Sequence, residues 1–159
     1  MQPAFAITGR AERGAKTKGT CRELPELPPR FLDMTEDDFR TYIAAFNARD
    51  FAGFSRYYAD DVEFNLGDRK QIVGAAGIVD FYTGVFEHIA EELEILDLIV
   101  APDGAALHSR TRFTTIKDWP DFELWPTKVG DVRVVESINM YRTVGGKIVK
   151  ILSGRFSSK

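Results

Sequence analysis

Apolar residues recur at helical spacing in three segments of the first ninety residues. Thr35 is placed as an N-cap before an acidic first turn, and the apolar positions that follow predict a helix over 36–47. Asp50 is placed to cap a second, short helix over 51–58, and the spacing predicts a third helix over 74–89. Each predicted helix has one apolar side, which has to pack against another layer of structure.

The two-residue alternation of β-strands appears after the second helix and dominates beyond residue 90. Strands are predicted over 62–66, 71–73, 93–101, 105–116, 131–143 and 147–157. The turn sequences Pro102-Asp103-Gly104 and Gly145-Gly146 pair the last four strands as hairpins, and 117–129 is predicted to be a long ordered loop. Helices followed by an antiparallel meander indicate the α+β class.

The first 34 residues differ in composition from the remainder. Residues 1–22 hold five basic residues and one acid, and the proline-rich run that follows is typical of a stiff linker. We expect residues 1–34 to be a disordered basic tail and residues 35–159 to form one folded domain. The expected location is the cytoplasm, and the basic, acid-poor N-terminus leaves import into an organelle as the alternative.

Composition argues against several classes of function. A net charge of −3 gives no reason to expect a nucleic-acid partner, and no apolar run is long enough to cross a bilayer. One cysteine and two histidines argue against a disulfide framework or a metal centre, and no glycine-rich phosphate loop is present, so no cofactor is expected. Twelve Phe, five Tyr and two Trp are more than a core of this size needs, which indicates an apolar pocket.

Three short segments carry a resemblance to a known family. Tyr42–Asp50 (YIAAFNARD) and Tyr57–Phe64 (YYADDVEF) resemble the opening of the nuclear-transport-factor-2-like superfamily, in particular its SnoaL-like and ketosteroid-isomerase-like members. Gly146–Val149 resembles their final hairpin, so the similarity covers roughly residues 35–157. It implies a cone-shaped α+β barrel, in which a curved antiparallel sheet wraps around three N-terminal helices and encloses a pocket, often in a homodimer.

The resemblance assigns roles to single positions, and most of those positions have changed. Tyr42 stands where ketosteroid isomerases keep a tyrosine that donates to the developing oxyanion. Their catalytic aspartate aligns with Leu66 and their second oxyanion donor with Ile138, and neither side chain can exchange a proton. Of the arginine and two aspartates of limonene-epoxide-hydrolase-like members, only the arginine has a counterpart, Arg110. The usual residue sets of both groups are therefore broken.

The strand predicted over 105–116 offers a histidine as a candidate acid or base. His108 has an ordinary pKa near working pH, and it shares a strand face with Arg110. Matching Arg110 to the hydrolase arginine places both side chains in the pocket. In the alternative, this charged face lies outside the sheet and Leu107 and Phe113 face the pocket.

Two carboxylates are further candidates. Glu136 lies two residues before Ile138, so it faces the pocket if Ile138 does, and desolvation would then raise its pKa. The alternative is a residue on the rim that pairs with an arginine. Asp118 and Trp119 lie in the long loop at the expected pocket mouth, where they either contact a ligand or pack across a dimer interface.

These residues lead to one functional hypothesis and one alternative. The sequence predicts a cofactor-independent acid–base enzyme, an isomerase, cyclase or dehydratase, for a small hydrophobic oxygenated ring compound such as a polyketide or terpenoid. Glu136, His108 or Asp118 would move the proton, and Tyr42 would stabilise the oxyanion. The expected substrate-binding residues are Phe64, Leu66, Tyr82, Phe86, Arg110, Phe113, Trp119, Ile138, Met140 and Ser153. The alternative is a non-catalytic small-molecule-binding or dimerising domain, which the loss of the family's aspartates favours.

Overall fold

The computed structural model describes residues 33–158, and the predictions for residues 1–32 lie outside this range. The described helices are α1 (Glu36–Asn47), α2 (Phe51–Ser55) and α3 (Ala75–His88). Thr35 and Asp38 form a capping box at the start of α1, in which the Thr35 N–H donates to the Asp38 carboxylate at 2.9 Å. The three predicted helices are confirmed. None of the described helices has the length and apolar character that crossing a membrane requires.

The described strands form one six-stranded sheet. They are β1 (Tyr58–Leu66), β2 (Lys70–Val73), β3 (Ile89–Ala101), β4 (Gly104–Thr115), β5 (Val132–Val144) and β6 (Lys147–Ser158). Their order across the sheet is β2-β1-β6-β5-β4-β3, and all neighbours are antiparallel except β1 and β6. That parallel pair forms because the last strand returns beside the first. The sheet is therefore open, with β2 and β3 at its edges, and the predicted α+β class is confirmed.

Two strands begin four residues earlier than the sequence pattern predicts. Tyr58 was predicted to end a helix, but it begins β1 and pairs with Ile148 of β6. β3 begins at Ile89, directly after α3, rather than at Leu93. Both early starts follow from pairing with a neighbouring strand, which the local pattern does not contain. The longer β3 adds Glu91 to the sheet.

Helices α1 and α3 pack on one face of the sheet, which we call the inner face. The Phe46 ring of α1 contacts Tyr82 and Phe86 of α3, with ring centroids 4.8 and 5.4 Å apart. Phe39 of α1 contacts Tyr141 of β5 at 5.3 Å. The opposite, outer face is exposed, and it includes Ile138, which is 49% exposed. Because successive side chains on a strand point to opposite faces, one set packs in the core and the other contacts solvent.

Candidate active site

Helices α1 and α3 and the inner face enclose a cavity of about 90 Å³. Most of its wall is aromatic or aliphatic, and polar groups lie at a few positions. The aromatic lining is Tyr42, Phe46, Tyr58, Phe64, Tyr82, Phe113 and Tyr141. The polar and charged lining is Glu91, Thr111, Ser137, Asn139, Ser153 and Arg155. An apolar chamber with a few convergent polar groups is the usual form of a small-molecule site.

Glu91 supplies the one carboxyl among the residues that line this cavity in the described part of the chain. It lies on the inner face of β3, on the same side as Leu93, and its side chain is partly buried. Loss of solvation raises the pKa of Glu91 to about 8, although the nearby positive charge of Arg155 acts to lower it. The carboxyl therefore changes its protonation state close to neutral pH, as acid–base chemistry requires.

Phenol hydroxyls form the second chemical feature of the cavity. The hydroxyls of Tyr42 and Tyr58 are hydrogen-bonded at 2.9 Å, and both residues are buried. The Tyr141 ring packs edge-on against Tyr42, with centroids 6.0 Å apart. Burial raises the pKa values of Tyr42, Tyr58 and Tyr141, so these phenols stay protonated and can act as hydrogen-bond donors. Such fixed donors in a dry cavity can stabilise negative charge that develops on an oxygen.

A group of small polar side chains lies on the inner face of β4 and β5. The Asn139 amide donates to the Ser109 hydroxyl at 3.1 Å, and the hydroxyls of Ser109 and Ser137 are 3.2 Å apart. Ser137 and Asn139 line the cavity, whereas Ile138 and Met140, on the opposite face of β5, were the residues predicted to line it. These groups offer further hydrogen bonds to a polar ligand.

Strand alternation places several predicted site residues on the outer face. His108 lies there, with its Nδ1 3.0 Å from the Asp97 carboxylate. The Arg110 guanidinium donates to Glu136, from Nε at 3.1 Å and from Nη2 at 2.9 Å. Of the two placements that the sequence left open, the pocket is therefore wrong for His108, Arg110 and Glu136: the charged face of β4 lies outside the sheet, and Glu136 pairs with an arginine.

Ile138 and Met140 account for that error. They are 49% and 48% exposed, so the inner face of β5 consists of the odd-numbered residues, including Ser137 and Asn139. The assumption that Ile138 faces inward, taken from an aligned position in relatives, shifted the assignment by one residue. Such a shift moves every side chain of a strand to the opposite face.

Three other predicted residues lie near the cavity but do not line it. The exposed Asp118 accepts a hydrogen bond from the Val129 N–H at 2.7 Å and so fixes its own loop. Trp119 stacks on Phe122, with ring centroids 4.0 Å apart. Phe86 is buried in the core behind the cavity wall. The predicted residues that do line the cavity are Tyr42, Phe64, Leu66, Tyr82, Phe113 and Ser153.

A family model described as SnoaL-like domain matches residues 39–151. The chain belongs to the SnoaL-like family. The resemblance seen in the sequence is therefore confirmed. No curated protein matches the chain by sequence.

Solved structures share the fold of this SnoaL-like domain. A SnoaL-like polyketide cyclase from Agrobacterium tumefaciens is 20% identical, with a TM-score of 0.61 over 76% of this chain and 90% of that chain. An LEH-like epoxide hydrolase from M. tuberculosis is 11% identical, with a TM-score of 0.61 over 76% and 80% of the two chains. An NTF2-like protein from Burkholderia pseudomallei is 19% identical, with a TM-score of 0.62 over 76% and 88%. At these identities the likeness shows the fold alone.

The carboxyl in the cavity of the SnoaL-like domain belongs to a different strand from the catalytic aspartate of ketosteroid isomerases. The position that aligns with the isomerase aspartate is Leu66 of β1, which lines the cavity as an aliphatic wall. Glu91 enters the same cavity from β3 instead. Within residues 33–158, no group of three or more His, Cys, Asp or Glu could hold a metal ion.

Proposed function

We propose that this SnoaL-like domain is a cofactor-independent acid–base enzyme for a small, hydrophobic, oxygenated ring compound. One observation carries the proposal: a desolvated carboxyl, Glu91, and the hydrogen-bonded phenols of Tyr42 and Tyr58 line the same cavity. Solved structures that share the fold are described as a polyketide cyclase, a ketosteroid isomerase and an LEH-like epoxide hydrolase, and these descriptions support an enzymatic role.

Glu91 is the proton-transfer group in the proposed reaction. In its carboxylate form it takes a proton from a carbon next to a carbonyl group, and the electron pair of that C–H bond moves onto the carbonyl oxygen. Tyr42 donates a hydrogen bond to this oxygen, and Tyr58 holds Tyr42 in place. A carboxylate whose conjugate acid has a pKa of about 8 is a stronger base than an ordinary glutamate.

The fate of the intermediate defines the reaction subclass. Return of the proton from Glu91 to a different carbon completes an isomerisation. Departure of a hydroxyl group on the next carbon, as water with that proton, completes a dehydration. Attack of the intermediate on a second carbonyl closes a ring, and the proton on Glu91 passes to the alkoxide that this forms, as in a cyclase. All three begin with the same proton abstraction, so one assay can detect any of them.

The dimensions of the cavity indicate a ligand with a single ring at the closed end. The cavity continues into a second space of about 50 Å³, and Tyr82, Glu91 and Phe113 line both. Together the two spaces approach the roughly 150 Å³ that accommodates a benzene ring. Substituents would extend into the open end, where a further space of about 290 Å³ begins at Leu66 and Ser153.

Exchange of carbon-bound hydrogen for deuterium tests the proposed function without knowledge of the product. A panel of single-ring ketones and hydroxyketones is incubated with the protein in D₂O, and NMR measures replacement of the protons next to the carbonyl. We expect catalysed exchange in at least one compound that binds. Binding without exchange across the panel would instead assign the SnoaL-like domain to ligand binding.

We further propose that the SnoaL-like domain forms a homodimer through its outer face. Four exposed apolar side chains lie there on β5 and β6: Ile138, Met140, Leu152 and Phe156. Exposed apolar surface flanked by charges of both signs, such as Arg110 and Glu136, suits pairing with a second copy. Sedimentation should give twice the monomer mass of 17.9 kDa, and Ile138→Glu should reduce it to one copy. A wild-type monomer would contradict the proposal.

A further inference from the structure

Three arginines lie close together around the open end of the cavity. Arg69, which follows β1, and Arg155 of β6 line the space at the mouth, and Arg133 of β5 lines an adjoining space beside Trp125. Elsewhere in the described chain, Arg40, Arg110 and Arg142 each form an ion pair with a carboxylate, whereas Arg49, Arg56 and Arg112 form none. Within residues 33–158, no ion pair involves the three arginines at the mouth. Among the described residues, no carboxylate therefore neutralises their charge by direct contact.

The positive charges of these three arginines repel one another. Burial, together with the charges of Arg69 and Arg133, lowers the pKa of Arg155. Glu91 is the acid whose charge opposes this effect, but it forms no ion pair with Arg155 within the described residues. Asp68 also lines the mouth, and it pairs with neither Arg69 nor Arg155. An anion that enters the mouth would relieve the repulsion.

Neighbouring groups hold the guanidiniums in fixed orientations. The Trp125 ring contacts two of them, with Arg133 5.0 Å and Arg155 4.7 Å from its centroid. Arg69 donates from Nη1 to the Leu124 carbonyl at 2.8 Å, which ties it to the same loop. A guanidinium held over an aromatic ring still presents an N–H edge to other acceptors. That edge matches the two oxygens of a carboxylate.

Arg155 also connects the mouth to the reactive end of the site. It lines the 90 Å³ cavity together with Glu91 and Tyr42, and it lines the space at the mouth together with Arg69 and Ser153. A ligand with one ring in the cavity and a short acidic substituent therefore meets Arg155 at the point where the cavity opens.

We propose that the ligand of this SnoaL-like domain carries a carboxylate, which Arg155 and Arg69 bind at the mouth while the ring enters the cavity. The direction of the ring, toward Glu91 and Tyr42, rests on the proposed function. The anion site does not, because it is defined by the arginines at the mouth. The chemical class of the ligand is thus a ring compound with an acidic side chain, rather than a neutral one.

A pair of compounds with the same shape and different charge tests the anion site. Binding of 3-phenylpropionate and of its neutral amide, 3-phenylpropionamide, is measured by calorimetry at low and at high salt. We expect the carboxylate to bind about tenfold to a hundredfold more tightly at low salt, since hydrogen bonds to charged groups contribute about 1.5–3 kcal/mol. Screening should reduce the preference at high salt. Equal affinities at low salt would overturn the proposal.

Two arginine variants locate the preference on the protein. Arg155→Gln should lower the preference for the carboxylate at least threefold, and a circular dichroism spectrum and melting temperature like those of the wild type show that the variant is folded. Arg112→Gln removes the same charge from an exposed position on the outer face, and it should keep the full preference. An undiminished preference in Arg155→Gln, or an equal decrease in Arg112→Gln, would contradict the assignment.

The same measurement in Glu91→Gln separates this inference from the proposed function. The preference for the carboxylate should persist in that variant, because the arginines are intact. If the preference is found and the wild type catalyses no deuterium exchange, the anion site stands and the enzymatic proposal fails. If exchange occurs and the preference is absent, the enzymatic proposal stands and the anion site fails.

Discussion

Replacing Glu91 by glutamine is expected to slow deuterium exchange into a bound ketone by about 10² to 10⁴-fold. Glutamine preserves the size and hydrogen-bonding capacity of the side chain, but it cannot accept a proton. Ligand affinity should change little, because the aromatic wall that holds the ring is unaltered. The rate of exchange, measured by NMR in D₂O at saturating ligand, gives the effect directly.

A neighbouring glutamate provides a matched control for this substitution. Glu92 follows Glu91 on β3, is exposed and faces away from the cavity. Glu92→Gln makes the same chemical change and should leave the exchange rate within a factor of two. An unchanged rate in Glu91→Gln, or an equal loss in Glu92→Gln, would show that Glu91 does not move the proton.

Removing the hydroxyl of Tyr42 is expected to lower turnover by about 10² to 10³-fold while ligand binding survives. The reason is that a single oxyanion donor in a dry site typically contributes on the order of 3–4 kcal/mol to the transition state and little to the ground state. The measurement is kcat and KM for Tyr42→Phe, in which kcat should fall and KM should stay nearly constant.

Tyr57 is the control for the loss of a phenol hydroxyl. It is buried beside Tyr42, with ring centroids 6.0 Å apart, but its hydroxyl accepts a hydrogen bond from Arg56 at 2.8 Å and does not line the cavity. Tyr57→Phe should therefore retain turnover. If Tyr42→Phe is as active as the wild type, the donor to the oxyanion has been assigned to the wrong residue.

Helices and hairpins were predictable because their signals are local in sequence. The cap at Thr35 and the glycine turn at Gly145-Gly146 each specify a boundary through neighbouring residues alone. Tyr42 could also be assigned to the cavity, since its position matched a family pattern and it lies on the buried side of α1. The α+β class followed from the order of these local elements.

The inner residues of the sheet were harder to predict, because strand pairing decides them. Glu91 was missed since the predicted β3 began at Leu93, although the alternation of Leu93 and Ile95 continues back to Glu91 and Ile89. On β5 the error concerned which face is buried. The pairing of Arg110 opposite Glu136 was the signal available, because opposite charges on neighbouring strands typically mark an exposed face.

The arginines at the mouth were also beyond prediction from sequence. Arg69, Arg133 and Arg155 are far apart along the chain and belong to three different segments. Trp125 brings two of them together, and its position depends on how the loop folds over the open end of the cavity. Convergence of this kind is a property of the tertiary structure.

Glu91 is the desolvated carboxyl of the proposed reaction, and an NMR titration of its side chain tests whether it changes its charge near neutral pH. Protein labelled with carbon-13 at the glutamate side-chain carboxyl is titrated by NMR, and comparison with Glu91→Gln identifies the Glu91 signal. We expect a midpoint near pH 8, with the carboxyl protonated below it and ionised above it. A midpoint near the ordinary glutamate value of 4.5 would mean that water solvates Glu91 freely, and it would contradict the proposed role of Glu91 as a desolvated acid–base group.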